Sequence, residues 1–297
     1  MSELTFKECE KKVNEKEDLK ALFDLWKKAH AAEVGEIKKK IKENNHEECD
    51  GRVFQEKIYK DCTVSSHFVR FFYMEKCKEC AEIQEQTVWE YVLKTAFNED
   101  GCVGNYDVPE NGYKYIVLLK ESNDSKKACI KDYIPKMKKE CVNEWIEDWK
   151  EGRVSAPMLT KINNEFNIFF KKKHKLKCED FTKEMAYINV NKRGGTERTQ
   201  GRDRNAVINY ANKYKKFILK EIDILSKENP SVTVFVCGLG KNYFPPLIRS
   251  LTGLSEKEID DNCTNYEYVE ESRQKKIQFV NIPHPSSSVK KGELFVI

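Results

Sequence analysis

The chain has 297 residues, 39% of them hydrophobic and 34% charged, with a formal net charge of +4. That length buries one good-sized core, or a core and a smaller helical appendage, and no apolar run approaches the roughly 18–20 residues of a membrane span. The first residues, MSELTFKECEKKVNEKED, have neither the apolar stretch of a signal peptide nor the acid-poor composition of a transit peptide. A cytoplasmic protein is expected, or a nuclear one in a eukaryotic cell, with no membrane partner.

In chain order, residues 8–43 read as one or two charged helices with Leu19, Leu22, Trp26, Ala29, Ile37 and Ile41 along one stripe. Residues 44–66 are irregular and polar, 86–97 look helical, and NEDGCVGNYDVPENG (98–112) reads as a loop. These observations predict a mainly helical N-terminal extension over 1–112, available to a protein partner. An α/β domain is expected over 113–297.

From 113 onward the pattern is regular. YIVLL (115–119), MAYINV (185–190), VTVFVC (232–237) and IQFVNI (277–282) are short, continuously apolar runs rich in Val and Ile. Continuous rather than alternating apolarity predicts strands covered on both faces, as in a parallel sheet. Three helical patterns lie between them. One opens at Pro135 and carries Met137, Cys141, Trp145 and Trp149. The next carries Leu159, Ile162, Phe166 and Phe169, and the third carries Val207, Ala211, Tyr214, Ile218, Ile222 and Leu225. The expected architecture is a three-layer α/β sandwich on a four-stranded parallel sheet.

Charge is unevenly spread. FFKKKHKLKC (169–178) and VNKRGGTERTQGRDR (190–204) are strongly basic, and 1–18 and 255–271 are acidic. Clustered cations suit a polyanion through counterion release, and they equally suit a solvated helix face and a loop.

Ligands of open parallel sheets bind beyond the carboxyl ends of the strands. Those ends are read as Lys120-Glu121-Ser122-Asn123-Asp124, then Asn189 to Gly195, then Gly238-Leu239-Gly240-Lys241, then Pro283-His284-Pro285-Ser286. A carboxylate, an amide, a glycine turn and a histidine suit removal of a nucleobase. The carboxylate stabilises a sugar cation and activates water. The histidine stabilises the leaving base, and an Asn amide matches the donor–acceptor edge of a flipped base.

The order LLKESND, AYINVNK, VFVCG, IPHPSSS resembles the uracil-DNA glycosylase superfamily over roughly 113–290. HPSSS (284–288) is its most specific element, and YINVNK (187–192) looks like the strand-two motif of the thermophile-type branch. The resemblance implies a DNA glycosylase, a hydrolase that needs no cofactor or metal, acting on single- or double-stranded DNA. It implies Glu121 as the water-activating carboxylate, Asn189 as the reader of the base edge and His284 as the electrophile. Ser286 would hold a phosphate and Val289 would wedge into the base stack. Lys120 and Asn123 replace the Gly and Pro usual around that carboxylate, and no aromatic follows to exclude a thymine methyl, so a base other than uracil stays open. The ring that stacks on the base is not identified; Tyr133 is one candidate.

The iron–sulfur cluster of the thermophile-type branch is not expected, because Arg193 stands at one ligand position and no Cys occurs from 179 to 236. Cys62, His67, Cys77 and Cys80 have spacing acceptable for zinc, but no metal is expected, and buried thiols in an apolar segment are the preferred reading. Eleven scattered cysteines fit reduced thiols better than a disulfide framework. Gly238–Lys241 does not complete a phosphate loop; it reads as a tight turn before a helix. The second functional reading is a non-catalytic nucleic-acid-binding module on the same fold, acting as a sensor or partner-binding protein.

Overall fold

The computed structural model describes residues 4–43, 63, 97, 99–101, 108–123, 146, 148–153, 155–177, 181–195, 202–270, 274–284 and 291–295. Residues 135–145 of the helix read from Pro135 to Trp149, the 86–97 helix apart from Phe97, and Cys62, His67, Cys77, Cys80 and Tyr133 lie outside them.

The order of elements is α1 (Phe6–Lys11), α2 (Leu19–Glu43), β1 (Tyr115–Asn123), α3 (Pro157–His174), α4 (Phe181–Glu184), β2 (Met185–Gly195), α5 (Arg202–Ser226), β3 (Ser231–Cys237), α6 (Phe244–Thr252), β4 (Asn265–Glu270) and β5 (Lys275–Ile282). The chain divides into two compact units. One comprises 1–99, 121–141 and 191–220, and the other 100–120, 142–190 and 221–297. The units alternate along the sequence.

All four apolar runs form strands, but the sheet is five-stranded and mixed, in the order β2-β1-β3-β5-β4. β1 and β5 both run parallel to β3, whereas β4 is antiparallel to β5. The expected four-stranded, all-parallel sheet is therefore corrected. The missed strand, NYEYVE, is an edge: Tyr266 and Tyr268 are half-buried, and Asn265, Glu267 and Val269 face solvent. An edge strand with one wet face lacks the continuous apolarity that marks the others.

Both faces of the central strands are covered. Tyr115, Val117, Phe235, Cys237, Val280 and Ile282 join Leu159, Ile162, Phe166 and Phe169 of α3 in one cluster. On the alternate face Ile116, Leu118, Val234, Val236, Ile277 and Phe279 are each at most 2% exposed. The Tyr115 ring stacks on Phe235 at 6.1 Å and meets Phe166 and Phe169 edge-on. α3 begins with Pro157 in its first turn and ends at Lys175, which is left-handed. Its apolar residues fall on the stripe their spacing predicts.

In the same unit, the end of α5 is tied down by Lys275, the first residue of β5. Its Nζ donates to the carbonyls of Asp223 and Lys227, to Ser226 Oγ and to Asp223 Oδ1. A buried ammonium among the last carbonyls of a helix both satisfies those acceptors and opposes the helix dipole.

The other unit has its own core. Trp26 of α2 stacks on Tyr210 and Tyr214 of α5. Among these rings Glu33 accepts from Arg193 Nη2 at 2.7 Å, Tyr214 Oη at 2.6 Å and Thr63 Oγ1 at 2.6 Å, with both charged groups fully buried. Lys192, also fully buried, lies over the rings of Phe23 and Trp26. Burial alone would raise the Glu33 pKa, but Arg193 and Lys213 outweigh it and hold the carboxyl far below the ordinary range.

These contacts explain a second correction. β2 does not stop at the polar residues after Val190 but continues to Gly195, because the charges of Lys192 and Arg193 find partners inside the protein. Likewise β1 runs on to Asn123, so KESN lies within the strand and not after it.

Candidate functional site

At the carboxyl ends of β3 and β5 the backbone leaves the sheet in two different ways. β3 ends at Cys237, and Gly238 turns the chain at φ +72° while its N–H still donates to Ile282 O at 2.9 Å. β5 ends at Ile282, and Pro283 carries the chain to His284. The imidazole then packs on the glycine: a Cβ at Gly238 would stand 3.0 Å from both Cβ and Cδ2 of His284. Gly238 thus serves a backbone conformation that L-residues resist and a close approach that any side chain would block. A second left-handed glycine, Gly240 at φ +71°, completes the turn into α6, as the sequence suggests.

His284 is half-buried, and its pKa is lowered first by burial and then by the charges of Lys120 and Lys161. The ring is therefore neutral at neutral pH and offers one N–H as a donor. Lys120 closes the part of β1 that belongs to this unit and is itself half-buried. Its charge also bears on Cys237, but burial dominates there and pushes the thiol up to about 12, which makes it a poor nucleophile. Lys161 lines a cleft at the start of α3 together with Thr160, Asn164 and Lys291. The structure thus gathers Lys120, Gly238 and His284, three of the residues named from sequence, and adds Lys161.

Asn189 stands elsewhere. It was expected to end the second strand, but it lies inside β2 and is fully buried. Its neighbour two residues back, Tyr187, forms an antiparallel bridge with Gly101, the N–H···O distances being 2.7 and 2.9 Å. One residue before that bridge, buried Asp100 turns its carboxylate to Asn189. Oδ2 accepts from the backbone N–H at 2.8 Å and from the side-chain Nδ2 at 2.9 Å. The amide oxygen of Asn189 is buried and has no hydrogen-bond partner among the described residues. Such an unmet acceptor costs about 1–3 kcal/mol. Asp100 lies in the stretch whose composition reads as a loop; no local pattern marks a lone Asp in NEDG as the partner of an Asn 89 positions later.

Glu121 and Asn123 belong to β1, but their side chains lie outside the described residues, as do Ser286 and Val289 entirely. Glu121 also falls in the other compact unit from Asn189 and His284. Of the two basic segments, Lys171, Lys172, Lys173, Lys175 and Lys177 are exposed at the end of α3. Lys192 and Arg193 of the second are at 0% exposure and so cannot meet a phosphate. Among the described residues no group of three or more His, Cys, Asp or Glu could hold a metal ion. No described helix is long and apolar enough to cross a membrane.

Comparison with protein-family models, with curated proteins and with solved structures finds no match to this chain.

Proposed function

We propose that the protein is a DNA glycosylase on a three-layer α/β fold of the uracil-DNA glycosylase type, hydrolysing the bond between a base and its sugar and leaving an abasic site. The observation that carries this reading is the seating of a neutral His284 against Gly238 where β3 and β5 end. A held imidazole with one N–H is suited to a carbonyl oxygen that gains negative charge as a base departs.

In this reading water adds its oxygen to the anomeric carbon as the carbon–nitrogen bond breaks. Glu121 takes the water proton. The electron pair of the broken bond stays with the base, whose carbonyl accepts from His284. Lys120, Lys161 and the exposed lysines at the end of α3 add positive potential for the DNA backbone. Ser286 and Val289, in the segment after His284, take the phosphate and wedge roles that the resemblance assigns them.

The test is incubation with single- and double-stranded DNA carrying uracil or one of a panel of modified bases, followed by alkaline cleavage. Strand breaks at one such base are expected. His284→Ala should slow them by about 10²–10³-fold, the usual loss for one donor to a developing anion. Glu121→Ala should cost less than His284→Ala, since Asp124, three residues on in the sequence, offers a second carboxylate. Tight DNA binding with no break at any base would overturn the enzyme and leave a binding module.

A further inference from the structure

We infer that one side of α3 is a rail for the DNA strand flanking the excised base, leading its phosphates away from His284 along the helix; the inference rests on the glycosylase reading above. α3 begins and ends at opposite ends of the sheet. Its start lies at the carboxyl ends of the strands, where the charge of Lys161 bears on His284. Its last turns lie at the amino ends, where Phe169 meets the Tyr115 ring edge-on and His174 Nε2 contacts the Tyr115 hydroxyl. At a rise of about 1.5 Å per residue, the helix covers about 20 Å between Lys161 and His174.

One flank of α3 is basic along this length. At 3.6 residues per turn, Lys161 and Lys172 stand about 20° apart around the axis and about 16 Å apart along it. The segment 291–295 runs beside that flank. Lys291 lines a cleft with Thr160, Lys161 and Asn164. Gly292 then comes so close to the helix that a Cβ there would stand 3.1 Å from Ile168 Cγ2 and 3.4 Å from Lys172 Nζ. Lys291 therefore fills the gap between the two helix lysines, and Lys175 and Lys177 follow the end of α3, both exposed.

The charge on this flank is not consumed internally. Glu165, which also lines the cleft, is only 5% exposed, and its Oε2 accepts from the main-chain N–H groups of Gly292 and Leu294 at 2.6 and 3.5 Å. Among the described residues no acid forms an ion pair with Lys172, Lys175, Lys177 or Lys291. A helix dipole attracts cations only to the last turn. It accounts for Lys171, Lys172 and Lys173, but not for Lys291, which belongs to another segment, nor for Lys177. A line of ammonium groups holds phosphates and carries no sequence information. With phosphates about 3.4 Å apart along a duplex strand, the stretch from Lys161 to Lys172 accommodates about five of them.

The experiment has two arms. The first measures binding of a labelled single-stranded oligonucleotide as salt is raised from about 50 to 200 mM, where each phosphate contact adds about 0.7 to the salt exponent. Over that range wild-type affinity should fall about 20-fold more than that of Lys172→Gln/Lys175→Gln/Lys291→Gln protein. The control Lys7→Gln/Lys20→Gln/Lys257→Gln removes exposed lysines that belong neither to α3 nor to the segment beside it, and should behave as the wild type. Equal effects of the two triple variants, or a wild-type protein that binds no DNA, overturn the inference. The second arm measures kcat/KM for excision as the DNA is lengthened one nucleotide at a time on either side of the target base. The wild type should gain on one side only, over about five phosphates, and the α3 variant should not gain. Equal gain on both sides, or on neither, overturns the rail and leaves the glycosylase reading standing. Wild-type protein inert on every base removes that reading instead, and the salt arm then decides the rail by itself.

Discussion

Gly238 and Gly240 provide a matched pair for testing whether the histidine is held by the glycine beside it. Both adopt left-handed backbone, at φ +72° and +71°, so alanine at either position should lose about 1–2 kcal/mol to that conformation alone. Only at Gly238 does the new methyl meet anything. It would stand 3.0 Å from His284 Cβ and Cδ2, whereas no atom of the described residues lies within 4 Å at Gly240. Because Cβ is anchored to the main chain, the ring cannot swing aside; the segment carrying it must shift by about half an ångström to reach ordinary contact distance. Overpacking of that kind adds about 1–3 kcal/mol. Gly238→Ala is therefore expected to lose about 2–5 kcal/mol and Gly240→Ala only about 1–2 kcal/mol. Urea denaturation of the two variants measures the difference, and the His284 ring resonances should move in the first variant alone. Excision should fall about tenfold or more in Gly238→Ala, since displacements near an ångström cost about 10²-fold. Equal destabilisation of the two variants, with the His284 resonances unmoved in both, would refute the argument.

Two further outcomes concern the buried ion pair of the other unit. Arg193→Met leaves Glu33 buried without its main counter-charge and should cost about 3–5 kcal/mol, much of which the double variant Glu33→Gln/Arg193→Met should restore. Chemical denaturation distinguishes this from a surface pair, whose loss would stay within about 1 kcal/mol. The same carboxyl makes stability depend on pH. Its folded pKa is depressed below the reference 4.5, so its contribution is fully present above that value and is lost as the pH falls below it. The drop in unfolding free energy between pH 7 and pH 3 should therefore be shallower in Glu33→Gln than in the wild-type protein.

What was legible in the sequence was whatever depends on neighbours along the chain. The four apolar runs announced the buried strands, because a strand covered on both faces must be apolar at every position. The stripes Leu159–Ile162–Phe166–Phe169 and Val207 to Leu225 announced α3 and α5, because 3.6-residue spacing is fixed by the helix itself. Gly238 and His284 could be singled out because each follows directly on an apolar run, where a chain must turn.

Tertiary structure alone decided the rest. The NYEYVE edge strand exists because β5 offers it a partner, not because its own residues insist on it. β2 carries on through Asn191, Lys192 and Arg193 because Glu33, 160 residues away in sequence, neutralises the arginine, and because two aromatic rings receive the lysine. Asn189 owes its orientation to Asp100 in the same way. Charge and hydrogen-bonding capacity are written in the sequence, but satisfaction of them is a matter of distance in space. Polar residues read locally as solvated ends therefore became buried, paired interior once the chain folded.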